Sequence, residues 1–270
     1  MSKTFPTFGP HGSLVPPPLP KADPIKPVAL ITGAGRGIGR ATAVELARRG
    51  YAVALVARTE SELAETARLC GGGPTAFVLP LDVRDPAAIV AGVAGVLARF
   101  GRIDALVNNA GLAPLGPFDQ TDAALYDDVL ATNLGATVHF SRAVWPTMTA
   151  AKPTAGHAAG RSIGHAGGVI VNVSSESARD PFPGFALYAA AKAAINGFTK
   201  ALAKEAEPRG VRVHCVAPAG VETAMLRQIA TTEQVPTETT LTPEAVARVI
   251  AACVVGDLAA TSGETIYLHR

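Results

Sequence analysis

Tyr188 and Lys192 lie four residues apart in "YAAAK", inside an alanine-rich stretch that reads as helix. Residues at that spacing share one helix face, so a phenol and an ammonium are placed to act on one bound molecule. Four tyrosines and seven lysines in 270 residues also make the spacing reachable by chance, so the pair needs independent support. Upstream, "NVSSESA" offers hydroxyls at Ser174, Ser175 and Ser177. A second grouping, "TGAGRGIGR" at 32–40, carries glycines at 33, 37 and 39 where a strand gives way to a helix. Such a turn brings backbone N–H groups up to a pyrophosphate at the positive end of a helix dipole. About 20 residues on, an acid serves a free ribose 2′-hydroxyl. Here that position is Ala57, followed by Arg58. An apolar residue and then a guanidinium suit a 2′-phosphate, and Arg36 in the glycine turn reaches the same group. The alternative for both arginines is a solvated surface position.

These groups need a scaffold, and the rest of the chain describes one. Apolar runs at 28–32, 51–57, 75–81, 103–108, 168–174, 211–217 and 264–269 read as strands, most of them apolar on both faces. Helical patterns fill 37–49, 60–69, 86–99, 121–148, 186–206 and 243–255. The alternation predicts an α/β fold: a single Rossmann-type, doubly wound parallel sheet of about seven strands with helices on both faces. Residues 28–270 form that domain. Residues 1–27, with prolines at 6, 10, 16, 17, 18, 20, 24 and 27, form an extended amino-terminal extension. The Gly-, Ala- and Pro-rich segment 149–168 leads to the amino end of a strand, opposite the edge where ligands bind. It contains His157 and His165, but no third ligand accompanies them, so no metal is expected.

Bulk properties narrow the function classes. A net charge of +2, evenly spread, does not point to nucleic acid or an anionic membrane. No apolar run reaches the roughly 18 residues of a membrane span, and the opening segment has no apolar core of a secretory signal. Cys70, Cys215 and Cys253 are odd in number and lack metal or redox spacing, which fits a reduced cytoplasmic setting.

The motifs, in order, resemble the short-chain dehydrogenase/reductase family in its NADP-preferring, 3-oxoacyl-(acyl-carrier-protein) reductase-like form. The resemblance covers about residues 28–268. "TGAGRGIG" matches the family's glycine motif, with Gly33, Arg36, Gly37, Ile38 and Gly39 implied at the cofactor together with Arg58. "LDV" implies that Asp82 and the Val83 backbone hold the adenine, and "NNAG" that Asn109, Ala110 and Gly111 line the cofactor. "ATN" supplies the helix asparagine, Asn133, 24 residues after Asn109. Ser175 precedes Tyr188 by 13 residues, the usual family separation, and is therefore chosen among the three serines. Asn133, Ser175, Tyr188 and Lys192 are the implied catalytic set. Five motifs in order remove the chance explanation for Tyr188 and Lys192.

By resemblance, Tyr188 is the general acid, Lys192 holds the nicotinamide ribose, Asn133 serves a water relay, and Ser175 donates to the developing oxyanion. Lys192, together with the cationic nicotinamide of the oxidised complex, is expected to favour phenolate and lower the tyrosine pKa from its usual value near ~10. "PAGVET" supplies Pro218, Val221 and Thr223 for the carboxamide, but Ala219 stands where the family has glycine. A Cβ disfavours positive φ, so a reshaped pocket is expected there. The following segment is shorter than the usual substrate lid, and the sequence reads "YLHR" where many members carry a glycine-rich tail. Leu112, Leu115, Phe182, Phe185, Met225 and Leu226 are candidate pocket walls, or ordinary core. Glu176 faces either substrate or solvent.

The expected activity is NADP(H)-dependent reduction of a small-molecule carbonyl, a ketone or 3-oxoacyl group. An NADP-linked alcohol dehydrogenase and a non-catalytic dinucleotide sensor or scaffold are the rivals. The small and apolar faces of 186–206, with the family's habit of pairing that helix and 121–148, imply a homodimer or homotetramer.

Overall fold

The computed structural model describes residues 26–150 and 167–270. The expectations for 1–25 and for most of the 149–168 segment, including its two histidines, lie outside the described residues. Seven strands form one parallel sheet: β1 (Val28–Thr32), β2 (Ala52–Ala57), β3 (Ala76–Pro80), β4 (Ala105–Asn108), β5 (Val169–Val173), β6 (Arg212–Pro218) and β7 (Thr265–Leu268). Their order is β3-β2-β1-β4-β5-β6-β7, with every neighbouring pair parallel. The chain winds outward from β1 in one direction, then returns to lay β4 on its other side. That reversal opens a crevice above the carboxyl ends of β1 and β4.

Helices cover both faces because alternate strand residues point to opposite sides. Ala29 and Ile31 of β1 join one buried cluster with Ala43 and Leu46 of α1 (Gly37–Arg48), Leu63 of α2 (Glu60–Leu69) and Ile250 of α8 (Pro243–Val255). Val28 and Leu30 join the other, with Val93 of α3 (Pro86–Phe100), Phe140 of α5 (Ala136–Ala150) and Ala203 of α6 (Ala186–Ala206). The doubly wound sheet is thus as expected from the apolar strands.

Two elements differ from the sequence reading. The helix expected at 121–148 is α4 (Ala123–Leu130), a π-helical turn (Ala131–Gly135) and α5. The Asp122 carboxylate starts it by accepting from the Leu125 N–H at 2.7 Å. A short helix, α7 (Ala224–Ile229), lies in the segment read only as a lid. Among the described residues no helix is long and apolar enough to cross a membrane.

Candidate active site

Thr32 closes β1 at the crevice and ties its two rims together. Its hydroxyl accepts from the backbone N–H groups of Asn109 and Ala110, both at 3.0 Å. Asn109 answers by donating its side-chain amide to the Thr32 carbonyl at 3.0 Å. The glycine turn therefore rests on the loop after β4. Gly33 has φ 65°, and a Cβ on Gly39 would lie 2.1 Å from the Gly33 carbonyl oxygen. Only glycine permits this close packing of turn on helix. No side chain caps α1 and its first turn holds no acid, so the amides at Gly37, Ile38 and Gly39 are left without a side-chain acceptor from their own helix. That is the donor set a pyrophosphate requires. Thr223 approaches the same turn: a Cβ on Gly37 would stand 3.3 Å from its methyl. The loop from Pro218 through the buried Val221 to Thr223 thus closes the crevice opposite Asn109, Ala110 and Gly111.

β5 delivers the serines. Ser174 is buried and donates to the Lys192 carbonyl at 3.0 Å, which fastens α6 to the strand. The buried Ser177 donates its backbone N–H to the Ser175 hydroxyl at 3.2 Å. Of the three, Ser175 is the one whose hydroxyl bears on the Tyr188 phenol, favouring its ionised form. One turn further along α6, Lys192 is 4% exposed and donates its ammonium to the Val173 carbonyl at 2.8 Å, 5.6 Å from the centre of the Tyr188 ring. Gly111 brings in the fourth group: a Cβ there would stand 2.9 Å from Asn133 Oδ1 and 3.6 Å from Lys192 Nζ. The four expected catalytic residues therefore converge at the carboxyl ends of β4 and β5.

The π-helical turn explains the placement of Asn133. Its side-chain amide donates to the Val129 carbonyl, one turn back, at 3.0 Å and to the Leu112 carbonyl at 2.9 Å. Its Oδ1 accepts the Leu112 N–H at 3.3 Å. Taking a helical carbonyl with a side chain competes with the regular backbone ladder, and helices widen at such points.

Burial raises the Tyr188 pKa above its ordinary 10.0, and the hydrogen bond with Ser175 opposes that shift. Burial outweighs the lowering expected of Lys192, whose ammonium, 5.6 Å from the centre of the phenol ring, donates to the Val173 carbonyl. Lys192 is itself pushed down to about 8 by burial. At Ala219 the backbone avoids the left-handed region that its Cβ disfavours. Among the described residues no non-glycine has positive φ, so its Cβ meets no backbone strain.

Around Asp82, Arg58 and Arg36, where the resemblance puts the adenosine, several contacts were not legible in advance. Asp82 accepts from Arg84, whose Nη2 lies 2.7 Å from Oδ2, and these hydrogen bonds hold its carboxyl below the usual range. Arg84 also reaches Asp128 of α4 at 2.5 Å. Arg58 is exposed and its charge bears on Asp82. Arg36 pairs with Glu62 of α2 at 3.8 Å. The sequence signal for Glu62 was weak, since an acid in a first helical turn ordinarily answers the helix dipole.

Of the candidate walls, Leu115, Phe182 and Met225 are exposed, while the buried Phe185 ring packs 5.5 Å from Tyr188. Leu115 joins Pro117, Phe118, Thr121, Gly184 and Leu187 around a cleft of about 220 Å³ beside the site. Glu176 turns away from it, toward Arg179 at 2.6 Å and His269 at 3.5 Å.

Fold and site together define a nicotinamide-dependent oxidoreductase, and comparison with known proteins gives its family. Residues 27–234 match the family described as short chain dehydrogenase, and the chain belongs to it. It is similar to the short-chain reductase protein NovJ of Streptomyces niveus, at 42% identity over 75% of this chain and 72% of that protein. It is also 34% identical to the 3-oxoacyl-(acyl-carrier-protein) reductase FabG of Escherichia coli (strain K12), over 90% of this chain and 95% of that one. Among solved structures, the 3-ketoacyl-(acyl-carrier-protein) reductase of Brucella melitensis complexed with NADH superposes with a TM-score of 0.81 at 28% identity, covering 90% and 96% of the two chains.

Proposed function

We propose that this chain reduces a ketone or 3-oxoacyl group to an alcohol, with NADPH as reductant and Tyr188 as the acid. The observation that carries this reading is the convergence of Ser175, Tyr188 and Asn133 around the buried Lys192, at the sheet's switch-point crevice. When bound, the reduced nicotinamide supplies the hydride. Tyr188 gives its phenolic proton to the carbonyl oxygen as charge builds there. Its raised pKa keeps that proton in place at neutral pH, so the acid form is ready for the reductive direction. The Ser175 hydroxyl donates to the same oxygen, a preorganised contribution aimed at the developing oxyanion. Lys192, held at Val173, places its charge beneath the phenol and steadies the phenolate that remains after proton transfer. Asn133 anchors Leu112, and with it the loop that borders the substrate side.

The cleft at Leu115 and Phe118 is of mixed lining, with Gln120 and Thr121 beside Leu125 and Leu187, and leaves room for a substrate chain next to the site. Arg36 and Arg58 favour NADPH over NADH through charge-assisted hydrogen bonds to the 2′-phosphate. The similarity to two 3-oxoacyl reductases supports the 3-oxoacyl class. We also read the protein as a homodimer or homotetramer through α6. The test is loss of NADPH absorbance against a panel of ketones, 3-oxoacyl thioesters and aldehydes. Turnover strongest with 3-oxo compounds is expected. Tight NADPH binding without turnover on every carbonyl class overturns the enzyme reading in favour of a sensor.

A further inference from the structure

The end of β2 carries no acid, yet the structure brings one to the same place from α2. Glu62 lies over the glycine turn: a Cβ on Gly35 would stand 2.8 Å from its Oε2, 3.1 Å from its Cβ and 3.5 Å from the Ala57 Cβ. Any side chain at position 35 therefore displaces the carboxylate, so Gly35 and Glu62 are fitted to one another. The backbone beneath is fixed. Thr66 donates its hydroxyl to the Ala34 carbonyl at 2.9 Å, and Arg40 links the same threonine, at 3.1 Å, to the Gly35 and Glu62 carbonyls. The Glu62 carboxylate is thus held between the turn and Ala57, with Arg36 at 3.8 Å and its side chain 35% exposed to the crevice.

We infer that Glu62 is a cofactor-selecting residue: its carboxylate accepts from the adenosine ribose hydroxyls of NADH and opposes the 2′-phosphate of NADPH. This rests on the reading that a dinucleotide lies over the glycine turn. Among the described residues Arg36 is the cation that pairs with it across that gap, so a 2′-phosphate must share Arg36 with a fixed negative charge. The two arginines then favour NADPH by less than they do in isolation, and NADH remains usable. Ala57 lacks the acid ordinarily found at that strand end, and Glu62 supplies it from the next helix.

The test uses full-length protein and equilibrium titration of cofactor fluorescence, which needs no turnover. Dissociation constants for NADPH and NADH are measured for wild type, Glu62→Gln and Glu62→Lys. Neutralising one charge beside a partly exposed phosphate site shifts affinity by about three- to tenfold. NADPH is expected to tighten by that factor in Glu62→Gln, while NADH stays level or weakens. Glu62→Lys should move the ratio further the same way. Equal changes for both cofactors, or none, overturn the inference and leave Glu62 an ordinary helix-terminal acid. A wild type that prefers NADH, with the ratio still moving on substitution, refutes the arginine-based preference but supports the role of Glu62. A wild type that binds neither cofactor removes the site reading and this inference with it.

Discussion

The phenol and ammonium of α6 answer to different forces, and each gives a separate experiment. Tyr188→Phe keeps the ring that packs on Phe185 but removes the proton donor. Turnover is expected to fall by 10²–10⁴-fold with NADPH affinity nearly unchanged, as is usual when general acid catalysis is lost. Retention of more than about a tenth of wild-type kcat would exclude this residue as the acid. Lys192 behaves as a buried base whose folded-state pKa, about 8, is below its ordinary 10.5. The unfolded chain therefore holds the proton across that window while the folded chain has released it, so stability rises with pH from about 8 to 10.5. Below pH 8 the fold carries the full cost of the buried charge, about 3 kcal/mol. Replacement by Met removes that cost and loses the charge-assisted hydrogen bond to Val173, worth about 1.5–3 kcal/mol. Lys192→Met should thus leave stability at pH 7 level or raise it by up to about 1.5 kcal/mol in urea unfolding while losing activity. In the wild type, kcat/KM for the carbonyl should decline above about pH 8 as this charge is lost; a profile flat to pH 9.5 would show that the charge is dispensable. Spacing and motif order were enough to anticipate that Tyr188, Lys192 and Ser175 lie together. The degree of burial, which raises the phenol and lowers the ammonium, is set by tertiary packing and was not legible from spacing.

Elements show the same division between what periodicity carries and what it omits. The strands were legible because a parallel sheet covered on both faces demands apolar side chains on both. The π-helical turn was not, since the amphipathic pattern of 121–148 runs through it and only the bonds of Asn133 to Val129 and Leu112 reveal the extra residue. α7 escaped because six residues are too few to show a period; its signal was Thr223, whose hydroxyl accepts from the Leu226 N–H at 3.3 Å. Thr32 was read as the last residue of β1, but its hydroxyl joins the glycine turn to the loop after β4. Thr32→Val keeps the shape and strands two part-buried amides, which costs about 1–3 kcal/mol. Both reduced stability and weaker cofactor binding are expected, because the crevice loses the link between its rims. A variant with a lowered unfolding midpoint but unchanged NADPH affinity would show that the two loops hold their positions independently.

At the scale of the whole molecule, the outer face of α6 carries the assembly question. Ala190, Ala193, Gly197 and Ala201 are all exposed and follow one another at helical spacing, which leaves a smooth face with Lys200 and Lys204 at its border. Small side chains let a second helix approach closely, since interaxial distance depends on the residues at the contact. Among the described residues, nothing beyond its own helical backbone and chain neighbours lies within 4 Å of a Cβ at Gly197. A large side chain there meets open space in the single chain but a clash in a helix-paired dimer. Gly197→Arg is therefore expected to leave the fold intact by circular dichroism and to shift light scattering at micromolar concentration from dimer or tetramer toward monomer. Tyr188 and Lys192 sit on this same helix, so the monomeric variant should lose turnover to a greater degree than NADPH affinity, which depends on the glycine turn across the sheet. A wild type of monomer mass would refute the assembly. A dimeric Gly197→Arg would move the interface to another face.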